Sequence, residues 1–330
     1  MTITVRDICH YYSVGVHIQT SVVRVMTTID ISILTPTYER MLFLPYLALM
    51  IGTQTNIDLK AVEWVVVDDS QCNHAHWFRT HALQCALGKV TYVHLPHKQT
   101  IGCKRNLVKT LACGKYMIHM DDDDYYAPNY VSTVMSMFHS KRKPRLIGAT
   151  SIFLMFPDSL YLSQSGPFRQ NHSCGGALSY TREYAHKHHF DNQVKIQEEP
   201  SFIQNNDMMQ IQNAFNINMV FVHDKNTVSK DHLKRKQIQL RWIDVIQHPT
   251  ILHFYMSMHA KKLPFEAEIP LFKTARSNYG YVFYAMTVIK SLQELVACLI
   301  GILHEHTTST TARQCLLESL EHSVVDTEEV

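Results

Sequence analysis

Along the first part of the chain, short β-branched runs give way in turn to stretches whose apolar residues recur at helical spacing. Ile31-Ser32-Ile33-Leu34-Thr35, closed by Pro36, predicts a buried strand that ends in a loop. Arg40 to Gln54 is apolar at helical spacing and stops near Gly52. Glu63 to Val67 predicts a second strand tipped by Asp68-Asp69-Ser70, Ala75 to Leu87 a helix stopped by Gly88, and Val90 to Leu95 a third strand. Gly102 opens a basic helix through Lys104, Arg105 and Asn106 to Ala112, which Gly114 ends before the apolar run from Tyr116 to Met120. This β-α-β-α-β-α-β order implies an α/β fold with a mostly parallel sheet and right-handed crossovers, whose ligands sit at the strand C-termini.

Asp121-Asp122-Asp123-Asp124 follows that fourth strand directly, and Pro128 closes the segment. Adjacent carboxylates repel, and a hard divalent cation with oxygen ligands relieves the repulsion. Strand alternation predicts Asp121 and Asp123 on one side and Asp122 and Asp124 on the other, so that an alternate pair shares a metal. A solvated acidic turn is the alternative. Against it stand two more polar strand tips, Thr35-Pro36-Thr37-Tyr38 and Asp68-Asp69, which the fold would bring to the same crevice. Neither a Gly-x-Gly-x-x-Gly after the first strand nor a P-loop occurs, and with 11 glycines in the chain a metal is the expected phosphate holder.

Beyond Pro144, Leu146 to Met155 predicts one or two strands, and Gly175-Gly176 precedes a short strand and helix. Glu198-Glu199 opens another helix with Pro200 suited to its first turn, and Met219 to Val222 is a strand that runs into His223. Tyr281 to Leu303 is the most hydrophobic window, but Lys290, Gln293 and Glu294 interrupt it, which describes an amphipathic helix and no membrane span. Peripheral membrane contact and oligomer formation stay open.

Composition narrows the class. Hydrophobic residues make up 46% of the 330-residue chain, enough for a substantial core, and 31 basic residues against 29 acidic ones, without a long basic run, argue against a nucleic-acid partner. The Lys141-Arg142-Lys143 and Lys234-Arg235-Lys236 triplets read as solvated surface. Eight cysteines without a Cys-x-x-Cys pair predict neither a zinc knuckle nor a disulfide scaffold, and point to a reducing, cytoplasmic setting. Residues 1 to 30 lack the apolar segment of a secretory leader, so the sequon at Asn171 is expected to be unused. The 21 histidines form no zinc-hydrolase pairing and read mostly as surface or structural, with His223, at the end of a strand, as the exception.

Taken in order, Ile33 to Arg40, Glu63 to Ser70, Thr100 to Asn106, Met120 to Tyr126, Glu198-Glu199 and His223 to Thr227 resemble the motif set of family 2 glycosyltransferases of the GT-A fold, and are similar to those encoded by large DNA viruses. The likeness implies a Rossmann-like GT-A domain over residues 30–240, an N-terminal extension over 1–29 and a mainly helical C-terminal extension over 241–330. It implies an inverting, metal-dependent transfer of a sugar from a UDP- or GDP-linked donor to a hydroxyl on a glycan, glycoprotein or glycolipid, in the host cytoplasm for a viral member. Thr35, Pro36, Tyr38, Arg40, Asp68, Asp69, Arg105, Asp121 and Asp122 would hold the nucleotide-sugar. Asp121 and Asp123, with His223, would hold Mn²⁺ or Mg²⁺. Glu199 would be the catalytic base, with Glu198 as the other candidate. A sugar-phosphate nucleotidyltransferase and an inactive carbohydrate- or partner-binding relative are the competing readings.

Overall fold

The two apolar runs that open the chain's pattern, residues 31–37 and 62–68, are buried at every position in the computed structural model of the protein. A parallel strand acquires such burial when helices cover both faces of its sheet. The structure describes residues 19–24, 28–80, 86–204, 208–212, 214–226 and 228–260. The expected helix at 281–303 and most of the two terminal extensions lie outside the described residues.

In chain order the first half contains Gln19–Arg24 (β1), Ile31–Thr37 (β2), Leu44–Gly52 (α1), Val62–Asp68 (β3), Ala75–Thr80 (α2), Lys89–His94 (β4), Ile101–Leu111 (α3), Tyr116–His119 (β5), Tyr125–Tyr126 (β6) and Tyr130–Phe138 (α4). The second half adds Leu146–Ala149 (β7), Ile152–Met155 (β8), Tyr161–Ser165 (β9), Ser179–Thr181 (β10), Arg182–Lys187 (α5), Glu199–Ile203 (α6), Met209–Ile211 (β11), Asn218–Phe221 (β12), Gln237–Arg241 (β13) and Pro249–Ala260 (α7). The main sheet runs β1-β4-β3-β2-β5-β10-β7-β11. Its centre, β4-β3-β2-β5, is parallel throughout, and β1 and β10 flank that centre antiparallel. A smaller sheet, β13-β9-β8-β12-β6, joins β6 to four strands from the chain's second half.

Alternation sorts the central side chains into two cores. Ile33, Trp64, Val66 and Ile118 face one, which α1, α4 and the α7 residues Ile251, Phe254 and Tyr255 complete. Leu34, Val65, Val67 and Met117 face the other, together with Leu107 and Val108 of α3 and Phe202 of α6. The short α2 is anchored by Phe78, whose ring stacks on Tyr92 at 4.3 Å and tilts against Trp64 at 5.4 Å.

Three expectations shift. Strand β2 continues through Pro36 to Thr37, since a proline costs a strand only its own N–H. The helix expected from Arg40 begins at Leu44, with Pro45 in its first turn and Arg40 left outside it. The Asp run is a turn between β5 and β6, so the two-residue alternation predicted for it does not apply.

Candidate active site

Strand β5 ends at His119, and the chain turns at once, which delivers Asp121 to Asp124 to the C-terminal edge of the parallel strands. Two hydroxyls fix where the turn begins. Thr35 Oγ1 donates to the Met120 carbonyl at 2.8 Å and accepts from the Trp64 indole at 3.0 Å. Tyr126 accepts from the Asp121 N–H at 2.7 Å and donates to the Gly176 carbonyl at 3.0 Å.

The four carboxylates sort in a way no strand would produce. Asp122 and Asp123 share one guanidinium: Arg40 Nη1 lies 2.8 Å from an oxygen of each, and Thr37 Oγ1 donates to Asp122 at 2.5 Å. Asp121 takes Arg105 in a fork, at 3.0 and 3.1 Å. A Cβ placed on Gly176 would lie 3.0 Å from Asp121 Oδ2 and 3.2 Å from Asp124 Oδ2, so glycine permits the close approach of this backbone to both.

Their acidities diverge accordingly. Burial pushes Asp123 up, but Arg40 and His223 outweigh it and bring it down to about 2. Burial raises Asp122, against the pull of Arg40. Asp124 accepts the Phe221 N–H at 3.2 Å, and burial together with its neighbours Asp123 and Asp121 drives it well above the usual carboxylate range.

Glu198 and Glu199 reach the same place from α6, which is held by the fully buried Phe202, stacked on Phe190 at 4.2 Å. Glu198 accepts from Arg105 Nε at 2.6 Å. Glu199 accepts the Gly175 N–H at 2.8 Å, and burial plus the charge of Glu198 raise its carboxyl to about 7. Arg105 thus joins Asp121 to Glu198. Its Nη1 also lies 2.9 Å from His119 Nδ1, whose other ring nitrogen meets the Tyr180 hydroxyl at 2.8 Å. Burial and Arg105 hold His119 well below the usual imidazole range, so it is neutral.

A cavity of about 330 Å³ is lined by Pro36, Arg40, Arg105, all four aspartates, Glu198 and Glu199, among others. Thr35, Tyr38, Asp68, Asp69 and His223 lie off it. Asp68 turns inward to Tyr92 and the Ser70 N–H. Asp69 accepts from Lys104 Nζ and the Gln99 N–H, each at 2.6 Å, beside Tyr38, whose ring carries Lys98 Nζ at 3.7 Å. His223 Nε2 and the Asn226 amide both contact Asp123 Oδ2, at 2.9 and 3.1 Å.

The donor set suits a hard divalent cation in kind: carboxylate oxygens converge on one cavity, and Asp124 is raised by repulsion that a cation would relieve. The cage itself is not assembled. Among the described residues no group of three or more ligating side chains is arranged to hold a metal, and Asp123 Oδ2 is taken by Arg40, His223 and Asn226. Sequence reasoning missed Lys104, His119 and Tyr180. The first stands beside Arg105 in a motif already singled out, whereas an isolated histidine at the end of an apolar strand gave no signal.

A family model described as glycosyl transferase family 2 matches residues 32–150. No curated protein matches the chain. Among solved structures, S. aureus TarS aligns with a TM-score of 0.45 and 16% identity over 59% of this chain and 37% of that one, so the chain spans little more than a third of it. Residues 1–349 of TarS in complex with UDP-GlcNAc align with a TM-score of 0.46 and 15% identity over 60% of each chain. A mannosyltransferase from Pyrobaculum calidifontis, PcManGT, in complex with GDP-Man and Mn²⁺, aligns with a TM-score of 0.46 and 12% identity over 87% of this chain and 86% of that one. The mostly parallel central sheet and the family match together give a GT-A-like fold.

Proposed function

We propose that this chain, whose residues 32–150 match the family 2 glycosyltransferase model, is a glycosyltransferase that moves a sugar from a UDP- or GDP-linked donor to an acceptor hydroxyl with inversion at the anomeric carbon. The carrying observation is that Glu199, raised to about 7, shares one cavity with the four aspartates. A base poised near neutrality combines a useful deprotonated fraction with affinity for the proton it takes.

In the proposed step Glu199 accepts the acceptor's O–H proton while that oxygen bonds to the anomeric carbon. On the opposite face the carbon–oxygen bond to the diphosphate breaks, and the diphosphate leaves with the electron pair. The Gly175 N–H holds one carboxylate oxygen of Glu199 in place for this role. Tyr38, with Lys104 Nζ 5.8 Å from its ring centroid and Asp69 bound to that lysine, would offer a face for the nucleoside base, and Asp121 would face the diphosphate. A bound Mn²⁺ or Mg²⁺ would supply Lewis acidity for the leaving diphosphate. Asp121, Asp123 and Asp124 would hold it, provided that Arg40, His223 and Asn226 release Asp123 Oδ2.

The occupation of Asp123 by Arg40, His223 and Asn226 is the observation that favours a donor-binding protein without turnover. Calorimetric titration of UDP and GDP with and without Mn²⁺ or Mg²⁺, followed by transfer assays over a panel of nucleotide-sugars, separates the two. Metal-dependent binding with transfer supports the enzyme, binding without turnover supports the second reading, and equal binding without metal removes the cation from the proposal.

A further inference from the structure

We propose that His119 and Tyr180 are positioning residues for the transfer: through Arg105 they hold the donor-side carboxylate Asp121 and the base-side helix start at Glu198 in one fixed frame. The proposal rests on the transferase reading above, with Glu199 as base.

The geometry closes on Arg105 from every side. Its side chain is 4% exposed, so water offers little substitute for a lost partner. Nε is taken by Glu198 at 2.6 Å, and Nη1 and Nη2 by Asp121. On the remaining flank, a Cβ on Gly175 would come within 2.5 Å of Nη2, so the guanidinium lies directly against the backbone whose N–H orients Glu199. Nη1 still points a donor into the protein, and His119 Nδ1 receives it at 2.9 Å. Because that nitrogen accepts, the imidazole proton is on Nε2 and is donated to the Tyr180 oxygen at 2.8 Å. Tyr180 is itself fixed, fully buried on β10 with its ring 4.6 Å from Phe202 of α6.

Packing alone does not call for a histidine at this place. The rest of β5, Tyr116-Met117-Ile118, is apolar or aromatic, and an apolar side chain at 119 would fill the same volume. An imidazole between a guanidinium and a phenol adds direction. It removes the freedom of Arg105 to swing about its side-chain axis, and any such swing would drag Asp121 and Glu198 with it. Small misplacements of this kind are costly to a rate even when they arise away from the reacting atoms.

The test compares His119→Leu, His119→Asn and Tyr180→Phe with the wild type, using the best donor and acceptor from the transfer panel. His119→Leu should lower kcat by roughly 10- to 100-fold with donor KM changed by less than about threefold. His119→Asn, whose side-chain oxygen falls near the Nδ1 position, should recover most of that loss. The pH profile reads what an unstable but otherwise normal enzyme would not show. Glu199 is faced by Glu198, Arg105, Cys174 and the Gly175 N–H, and a loosened Arg105 leaves the Glu198 charge less compensated. The acid limb of kcat/KM in His119→Leu should therefore move up by roughly half a pH unit or more. A His119→Leu enzyme with wild-type kcat and acid limb overturns the proposal. Should that variant fail to fold, Tyr180→Phe carries the same test, with a smaller fall in kcat expected and an unchanged kcat and limb decisive against it. Nitrogen-15 spectra of the wild-type imidazoles decide independently of turnover: an Nε2–H tautomer with Nδ1 accepting is expected, and a proton on Nδ1 at neutral pH overturns the proposal. Absence of transfer with every donor would refute the transferase reading, while these spectra would still decide whether His119 holds Arg105.

Discussion

Glu198 and Glu199 are sequence neighbours, yet one is bound to a buried guanidinium and the other to backbone N–H groups, that of Gly175 among them. The difference divides their work. Glu199→Gln keeps the shape of the side chain and removes its basicity, so transfer should fall by roughly 100-fold or more while donor affinity stays within a few-fold, as turnover and calorimetry on one preparation would show. Glu198→Gln instead strips Arg105 of a charged partner, and should lower the unfolding midpoint and the turnover together. Glu199 also gives a stability signature whose sign is fixed. Its carboxyl is raised in the folded state, so the folded protein binds the proton more tightly than the unfolded chain, and stability falls as pH rises from the ordinary glutamate range through about 7. Thermal melts of wild type and Glu199→Gln should coincide near pH 4 and separate toward pH 8, with the glutamine variant the more stable. A constant difference across that range would refute the assignment.

Among the elements, α3 does the most to build the site. Its three cations Lys104, Arg105 and Lys109 are all buried, and each meets a specific acceptor: Asp69 and the Thr37 carbonyl, then Asp121 with Glu198, then the Ala185 and His188 carbonyls near the end of α5. A basic helix read from sequence has therefore turned its charges inward. Thr100 caps its N-terminus by accepting the Cys103 N–H, and Gly102 lets the first turn approach the 190–192 segment so closely that a Cβ would lie 2.0 Å from the Asp191 carbonyl oxygen. Gly102→Ala thus meets backbone and not a side chain that can swing away. It should cost about 1–3 kcal/mol in urea unfolding and reduce turnover through the displaced Lys104 and Arg105. A variant as stable as the wild type would show that the segment relaxes freely.

For the molecule as a whole, the site depends on residues far along the chain. Phe254 of α7 stacks on Tyr46 at 3.8 Å and meets Phe43 edge-on, while Tyr255 donates to the Asp123 carbonyl at 3.4 Å. The helix that follows the last motif in sequence therefore buttresses the acidic turn from behind. Phe254→Ala opens a cavity in that core and should cost about 3–5 kcal/mol, read as a lowered midpoint in urea. A loss under about 1 kcal/mol would mean that α7 is not part of the cooperative unit.

What the sequence determined by itself is the parallel α/β core and the placing of the acidic run at the end of its fourth strand. Continuous β-branched runs such as Ile31 to Leu34 and Trp64 to Val67 have only one economical burial, between two helical layers, which carries Pro36 and Asp121 to Asp124 to one cavity, while Asp68 and Asp69 are drawn off it by Tyr92 and Lys104. Local pattern carries that much because strand and helix periods are properties of neighbouring residues. What only the tertiary structure decided is which charge meets which. The pairing of Asp122 with Asp123 on Arg40, in place of alternate aspartates on one side, arises because the run is a turn, and a turn has no period to read. The tie from Arg105 to both Asp121 and Glu198, and the His119–Tyr180 pair behind it, joins residues up to 93 positions apart. Their contact is set by how β5, β10, α3 and α6 pack, and side-chain chemistry carries no record of distance along the chain.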